Sequence, residues 1–191
     1  MVAEAKERLR RNVLAIRDSL SPEEAAEASA AIGQSLFTEE HFKNAKTVAF
    51  YLAKGNEVDT KGMIERAMRE GKGVLVPITN EEITMCGLSS LSDLVPGKFG
   101  VPEPKTRKQG KHPPEVVIAP GVVFGLCMHR IGYGKSYYDR YFKKNTNAFK
   151  IGICFDFQVM EELPRHEHDV AMDLIITDKR LIKQGGHSIE R

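Results

Sequence analysis

Short apolar runs alternate with helical patterns along this chain of 191 residues, and this alternation constrains the fold more than any other feature. The runs are rich in β-branched and aromatic residues, as buried strands are. They cover residues 47–52, 73–78, 115–120, 149–155 and 173–177. Strands that alternate with helices predict an α/β fold with a mainly parallel or mixed sheet and helices on both faces.

The N-terminal region predicts two helices that pack on this sheet. Residues 4–19 repeat apolar side chains at helical spacing, and the opposite face is basic. That basic face consists of Lys6, Arg10, Arg11 and Arg17. Ser21, Pro22 and Glu24 have the pattern of a capping box, so a second helix begins there and continues to about Leu36. Two later helices are predicted, one from near Thr60 to Gly71 and one over residues 136–144, and weaker runs at 83–88 and 122–125 predict antiparallel strands.

Composition excludes several classes of protein. Lys plus Arg is 28 and Asp plus Glu is 26, a net charge of +2 that is too balanced to indicate nucleic-acid binding. No apolar run is long enough to span a bilayer, and the charged N-terminus lacks the apolar core of a signal peptide. Cys86, Cys127 and Cys154 are too far apart for a disulfide framework or a metal site. We expect one cytoplasmic domain over residues 1–191, monomeric and without a membrane or nucleic-acid partner.

The segment RIGYGKSYYDRYF, residues 130–142, contains a Gly-Lys-Ser triplet of the kind that ends a nucleotide phosphate loop. A Walker A loop needs a further glycine at position 129, which is His129 here, so we exclude it. A Rossmann GxGxxG pattern also fails, because Tyr137 stands at its last glycine.

The same segment still has the parts of a phosphate site. Gly132 and Gly134 let a backbone turn approach a ligand, and successive N–H groups in such a turn bind anions. A helix that begins near Ser136 would add its positive dipole end. Asp139 could hold Mg²⁺ beside a phosphate. On these residues alone, a glycine turn before a surface helix is an equally good interpretation.

The longer window PGVVFGLCMHRIGYGKSYYDRYF, residues 120–142, resembles the hallmark sequence of the 5-formyltetrahydrofolate cyclo-ligase family. Other family-like motifs follow the same order along nearly the whole chain. They are the basic helix at 6–10, YLAKGNEVDT at 51–60, VPI at 76–78, FGVPEP at 99–104, GICFDFQ at 152–158 and LPRHEHDVAMDLIIT at 163–177.

Three residues depart from the family pattern. Gly125 stands where the family usually has Asp, Met128 where Gly is common, and Ser136 where the third glycine of the loop is expected. If that glycine has a positive φ, Ser136 is strained. Alternatively, the Ser136 hydroxyl caps the following helix.

The resemblance implies a ligase of one-carbon metabolism that converts 5-formyltetrahydrofolate to 5,10-methenyltetrahydrofolate with ATP and Mg²⁺. The formyl oxygen takes the γ-phosphoryl group, N10 closes the ring, and ADP and phosphate are released. It also implies catalytic roles for Arg130, Lys135 and Tyr138, folate contacts by Glu57 and Tyr137, and Mg²⁺ ligation by Asp139 and Asp173. The implied ATP-binding residues are Lys6, Glu7, Arg8, Leu9, Arg10, Arg130, Ile131, Gly132, Tyr133, Gly134, Lys135, Ser136, Tyr137 and Tyr138.

Simpler interpretations exist for several of these residues. Lys6 and Arg10 could form a solvated helix face, and Glu57 and Asp173 could be ordinary acids at element ends. Phe50 and Tyr51 are predicted in the core, and HEHD at 166–169 in an exposed loop. Gln158 and Asp169 match family positions, but the sequence assigns them no role.

The segment 96–114, rich in Pro, Gly and Lys, predicts a long surface loop. Its basic run at 105–111 could attract the polyanionic tail of polyglutamylated folates. Two other functions remain open from the sequence. One is a binding module on this scaffold that has lost turnover, and the other is a different phosphate-handling α/β enzyme.

Overall fold

The computed structural model describes residues 1–185 and 188–190. In this part of the chain there are five α-helices: α1 (Val2–Asp18), α2 (Pro22–Thr38), α3 (Glu40–Asn44), α4 (Lys61–Arg69) and α5 (Tyr137–Lys144). The predicted capping box at Ser21 is confirmed, since its side chain accepts from the Glu24 N–H at 3.1 Å and Glu24 accepts from the Ser21 N–H at 2.9 Å. Gly71, at φ +80°, follows the end of α4. The short helix α3 was not predicted.

The central sheet has eight strands in the order β13-β12-β11-β9-β6-β1-β2-β3. Its strands are β1 (Thr47–Ala49), β2 (Gly73–Thr79), β3 (Ile83–Leu88), β6 (Val116–Ala119), β9 (Phe149–Ile153), β11 (Leu174–Ile176), β12 (Arg180–Lys183) and β13 (Ser188–Glu190). The inner pairs are parallel, whereas β3, β12 and β13 add antiparallel edges. The predicted mixed α/β class is therefore confirmed, although the sequence did not reveal β12 and β13.

Two smaller sheets complete the fold. β7 (Val123–Gly125) pairs with β8 (Arg130–Ile131) antiparallel and with β10 (Val159–Met160) parallel. β4 (Leu94–Pro96) and β5 (Pro102–Pro104) form a hairpin that overlaps the start of the segment 96–114, which we predicted to be a loop. The residues after that hairpin cover the edge of β3, because the Gly110 N–H donates to the Met85 carbonyl and the Gly87 N–H to the Lys108 carbonyl.

Apolar layers lie on both faces of the central sheet. One layer joins the sheet to α2, α3 and α4 and contains Phe42, Ile64 and the predicted core residues Phe50 and Tyr51. The other joins it to α5 through Tyr141 and Phe142. We predicted that both N-terminal helices pack on the sheet, and α2 does. The first helix instead packs through Val13 on the small sheet, beside Val123 and Ile131.

The packing of α1 on the small sheet brings this helix close to the glycine-containing segment. The small sheet ends at Ile131, directly before the glycine-containing segment, so the polar face of α1 borders this segment. No helix of the described residues combines the length and apolar character needed to cross a membrane.

Candidate active site

The glycine loop, residues 132–136, joins β8 to α5 and has an unusual backbone. Gly134 lies at φ +89° and Ser136 at φ +49°, both in the left-handed region. In the described part of the chain, the backbone N–H groups from Gly132 to Asp139 have no hydrogen-bond acceptor. Unpaired N–H groups in a tight turn that leads into a helix N-terminus form a site for an anion. The loop therefore has the donors of a phosphate-binding site without being a Walker A loop.

The first of the two expectations for Ser136 is supported. Its φ is positive and its side chain makes no capping hydrogen bond to α5. Met128, the second departure, also has a positive φ of 65°. Gly125, the third, is held by packing, because an added Cβ would lie 2.8 Å from Leu163 Cγ and 2.9 Å from Cys127 Sγ. An Asp at position 125 would therefore require Leu163 to move.

Helix α1 reaches the glycine loop through Arg10. Arg10 Nε donates to the Gly132 carbonyl oxygen at 2.8 Å, and its guanidinium also contacts the Glu7 carboxylate. An added Cβ on Gly134 would lie 3.6 Å from Arg10 Nη2, an ordinary van der Waals contact, so Arg10 packs against the loop and only the positive φ disfavours a side chain at Gly134. The structure thus brings Arg10 to the loop. Arg8 is exposed, and Leu9 packs in the cluster around Val13.

Lys6 lies on the same helix but contacts a different segment. Its Nζ is 2.5 Å from Asp169 Oδ2, and the same oxygen accepts from the His166 N–H at 2.9 Å. Burial alone would raise the pKa of Asp169, but the hydrogen bonds from Lys6 and His166 hold this pKa below its ordinary value. The predicted HEHD loop is exposed from His166 to His168, yet Asp169 turns inward.

A buried ion pair lies beneath the loop. Arg130, 5% exposed, donates from Nη1 to Asp139 Oδ2 at 3.4 Å, and Asp139 Oδ1 accepts from the Val170 N–H at 3.1 Å. Arg130 Nε and Nη2 are buried without an acceptor among the described residues, as is the Tyr138 hydroxyl. The Arg130 guanidinium lies 5.6 Å from the Tyr138 ring centroid. These unused donors are available to an anion that would enter from the loop.

Three further residues of the predicted site lie on or beside α5. Lys135 is exposed, and its carbonyl accepts from Arg140 Nη1 at 2.8 Å. The Arg140 guanidinium lies 5.0 Å from the ring centroid of Tyr137, which is partly exposed at the helix start. Burial raises the pKa of Tyr138, so this hydroxyl stays protonated and can donate.

Glu57 lies in a tight turn, residues 54–57, that faces the glycine loop. Its Oε2 accepts from the Lys54 N–H at 2.8 Å, and its Oε1 accepts from the Tyr133 hydroxyl at 2.9 Å. Gly55, at φ +57°, permits the turn. The segment is fixed from within, because the Tyr51 hydroxyl donates to the Val58 carbonyl and Thr60 Oγ1 to the Tyr51 carbonyl. A partly exposed, oriented carboxylate thus borders the phosphate-binding loop.

The structure does not bring the two predicted metal ligands together. Asp139 lies in the first turn of α5, whereas Asp173 lies just before β11 and pairs with Lys150, whose Nζ is 2.7 Å from Asp173 Oδ2. The Lys150 backbone N–H donates to the same oxygen. Asp173 also borders a separate cleft of about 570 Å³ at the amino edge of the parallel strands. Among the described residues, no three His, Cys, Asp or Glu side chains are grouped as a metal site.

Sequence reasoning gave no role to Arg17, Asp169 or Gln158, each of which the structure places in a specific network. Gln158 is a structural clamp, since its Nε2 donates to the Gly121 and Val122 carbonyls and its Oε1 accepts from the Phe155 N–H. Arg17 lies at the end of α1 and donates to the Tyr133 hydroxyl at 2.7 Å. Its spacing of seven residues from Arg10 was the available signal, because residues seven apart share a helix face.

Comparison with known proteins agrees with this geometry. The sequence model of the 5-formyltetrahydrofolate cyclo-ligase family matches residues 2–178. The chain belongs to this family. A solved 5,10-methenyltetrahydrofolate synthetase from Aquifex aeolicus is 34% identical, with a TM-score of 0.84 over 97% of this chain and 96% of that one. A second solved synthetase, from Mycoplasma pneumoniae, is 28% identical, with a TM-score of 0.74 over 91% of this chain and 99% of that one.

Similarity to relatives covers the full cyclo-ligase length. A probable 5-formyltetrahydrofolate cyclo-ligase from Caenorhabditis elegans is 28% identical over an alignment of 198 positions that covers 95% of this chain and 96% of the relative. The Escherichia coli cyclo-ligase is 29% identical over 86% of this chain and 96% of its own length. Cyclo-ligase membership therefore rests on nearly the whole chain as well as on the loop motif.

Proposed function

We propose that this protein is an ATP-dependent 5-formyltetrahydrofolate cyclo-ligase that forms 5,10-methenyltetrahydrofolate. The observation that carries the proposal is the glycine loop. Its unpaired N–H groups and the unused donors of Arg130 lie next to the oriented Glu57 carboxylate, in a chain of the cyclo-ligase family. These groups would bind a triphosphate beside a heterocycle with N–H donors.

The reaction requires the formyl oxygen of the folate to become a leaving group. That oxygen attacks the γ-phosphorus of ATP and ADP departs, which leaves a phosphorylated N5-formyl group. The N10 lone pair then attacks the formyl carbon, which is already bonded to N5, and forms its second C–N bond. The N10 proton is lost, and phosphate leaves with the former formyl oxygen. Phosphoryl transfer needs positioning and charge neutralisation more than acid–base chemistry, and the loop offers both.

Cationic groups of the loop region would hold the triphosphate. The N–H groups of residues 132–139 are unpaired in the described chain, Lys135 is exposed, and Arg10 fixes the loop by its bond to the Gly132 carbonyl. Arg130 lies deeper, and its Nε and Nη2 would donate to the transferred phosphoryl group. The protonated Tyr138 hydroxyl would donate to the same group. Lys6 would reach the nucleotide only by leaving Asp169.

Glu57 would recognise the pterin ring. A carboxylate can accept two N–H bonds from the edge of an aminopyrimidine, as it does from Arg. Each Glu57 oxygen already accepts one bond, from Lys54 or Tyr133, which fixes the plane of the carboxylate and leaves further lone pairs for a ligand. Tyr137, partly exposed at the start of α5, would contact the folate beside the loop.

Mg²⁺ would accompany ATP, and Asp139 fits it better than Asp173 does. A magnesium site commonly has one or two carboxylates plus substrate phosphates, and Asp139 has lone pairs free beside the loop. The cation would neutralise charge on the β- and γ-phosphates. Both carboxylates are ion-paired, Asp139 with Arg130 and Asp173 with Lys150, but only Asp139 adjoins the loop, so the role of Asp173 as a second ligand stays a prediction.

The proposed setting is a cytoplasmic monomer that acts on reduced folates, including polyglutamylated forms, without a membrane or nucleic-acid partner. Support for the folate tail comes from the hairpin β4–β5. An added Cβ on Gly100 would lie 3.7 Å from Lys54 Cε, so this hairpin adjoins the turn that contains Glu57. The exposed residues 105–108, of which Lys105, Arg107 and Lys108 are basic, follow directly.

A direct assay tests the proposal. Purified protein with 5-formyltetrahydrofolate, ATP and Mg²⁺ should produce the near-ultraviolet absorbance of the methenyl product. We expect Asp139→Asn and Glu57→Gln each to lower turnover at least tenfold while the circular-dichroism spectrum stays unchanged, whereas Glu65→Gln, an exposed acid of α4, should have no effect. ATP binding by the wild type without any product would favour a binding module instead and would overturn the proposal.

A further inference from the structure

Arg17 is a buried cation that has no counterion among the described residues. It is 4% exposed, and no described carboxylate lies within ion-pair distance of it. Nη2 donates to the Tyr133 hydroxyl at 2.7 Å, while Nε is buried with no acceptor in the described chain. Burying a guanidinium with one neutral acceptor is costly, so packing alone does not explain this arginine.

The direction of each hydrogen bond follows from the donor inventory. Arginine has no acceptor, so the Tyr133 oxygen must accept from Arg17. The Tyr133 proton is then directed to Glu57 Oε1, 2.9 Å away. Partial burial of this half-exposed side chain and the nearby Glu57 carboxylate raise the pKa of Tyr133, which keeps this proton on the phenol oxygen. The chain Arg17→Tyr133→Glu57 therefore has a single proton arrangement.

This chain connects three parts of the molecule that meet at the site. Arg17 belongs to α1, Tyr133 to the glycine loop and Glu57 to the turn at residues 54–57. A second contact supports the same junction, because Asn56 Nδ2 donates to the Arg17 carbonyl at 3.2 Å. The end of α1 thus holds the turn directly through its backbone and indirectly through its side chain. The Arg17 guanidinium also lies 5.9 Å from the Tyr133 ring centroid, which restricts the tyrosine further.

We propose that Arg17 is a positioning residue for folate recognition, which acts through the Tyr133 hydroxyl to fix the carboxylate of Glu57. The inference rests on the proposed function, because it assigns the pterin to Glu57. Neither Arg17 nor the Tyr133 hydroxyl needs to touch the folate for its affinity to depend on both. Losing one charge-assisted hydrogen bond in such a chain corresponds to about a tenfold change in affinity.

Tyr133→Phe, Arg17→Met and the double variant test this chain. Each single variant should raise the KM and the Kd for 5-formyltetrahydrofolate about tenfold and change the KM for ATP less than twofold. Because Arg17 acts through Tyr133, adding Arg17→Met to Tyr133→Phe should change the folate KM less than twofold. The control is Arg11→Met, an exposed arginine of α1, which should match the wild type.

The outcomes distinguish a failure of the proposed role of Arg17 from a failure of the proposed cyclo-ligase function. Tyr133 is exposed, so Tyr133→Phe should fold even if Arg17→Met lowers the melting temperature. An unchanged folate KM in Tyr133→Phe, or single effects that multiply in the double variant, would overturn the role of Arg17 while leaving the cyclo-ligase intact. Calorimetric titration gives the Kd without turnover. A wild type that neither binds nor converts the folate would overturn both.

Discussion

Two residues with the same unfavourable backbone conformation have opposite roles in stability. Ser136 and Met128 both have a positive φ, which costs a non-glycine residue about 1–2 kcal/mol. Ser136 is exposed and makes no capping bond, so nothing offsets the strain. Met128 is 3% exposed and packs among the apolar residues beneath α5. A residue other than glycine therefore lowers the stability at position 136 and raises it at position 128.

Replacing each residue with glycine should separate these effects. Ser136→Gly should raise the free energy of unfolding by about 0.5–1 kcal/mol, since relief of strain exceeds the added entropy of the unfolded chain. Met128→Gly should lower it by about 2 kcal/mol or more, because the lost burial exceeds the strain relieved. Urea unfolding measures both. A loss of stability in Ser136→Gly would show that its φ is not a source of strain.

At the scale of elements, sequence patterns predicted the strands that are buried on both faces. The β-branched runs at 47–52, 73–78 and 115–120 each contain a strand, since a buried parallel strand needs a continuous apolar run. The edge strands were harder to predict from sequence patterns. β12 has two polar residues among four, and β5 consists of Pro-Glu-Pro, so neither has a strand-like composition. Their pairing depends on neighbours that a local pattern does not contain.

In the candidate site, too, the sequence predicted the features that are local and missed the contacts between distant residues. The loop motif indicated the phosphate-binding backbone, because its glycines and the helix start are contiguous in sequence. The partner of Lys6 is 163 positions away, and the partner of Glu57 is 76 positions away. Neither pair has a local signal. For Asp173, the strand-end position was compatible with a metal ligand, and only the register of β9 with β11 placed Lys150 beside it.

The hairpin β4–β5 and the basic run after it give a prediction at this scale. If residues 105–111 attract a polyglutamate tail, neutralising Lys105, Lys108 and Lys111 should raise the KM for a pentaglutamylated substrate several-fold and leave the KM for the monoglutamate unchanged. Added salt should reduce the difference. The control neutralises Lys43 and Lys46, exposed lysines that precede the central strand β1. An unchanged ratio of the two KM values would discard the tail site.

Across the whole molecule, the ion pair of Lys6 with Asp169 ties α1 to the segment before β11, so it contributes to global stability. The pKa of Asp169 is depressed in the folded state, and its unfolded value is near 3.8. A depressed carboxyl pKa gives stability that is fully present above the unfolded pKa and is lost as the pH falls through the folded pKa. The contribution of this pair should therefore be constant from neutral pH to about pH 5 and vanish in strong acid.

Asp169→Asn should remove the contribution of this ion pair at neutral pH. In strong acid the variant should be as stable as the wild type, because the pair contributes nothing there. We expect the variant to be less stable by about 1 kcal/mol at pH 7, the scale of a partly exposed ion pair, and the difference to shrink toward zero below about pH 3. Urea unfolding between pH 2 and 8 gives the two curves, and Glu65→Gln, which lacks a described partner, should show no pH-dependent difference from the wild type. A difference that stayed constant on acidification would mean that Asp169 acts by packing and by its bond to His166, and that the charge of Lys6 contributes nothing to holding the two ends of the fold together.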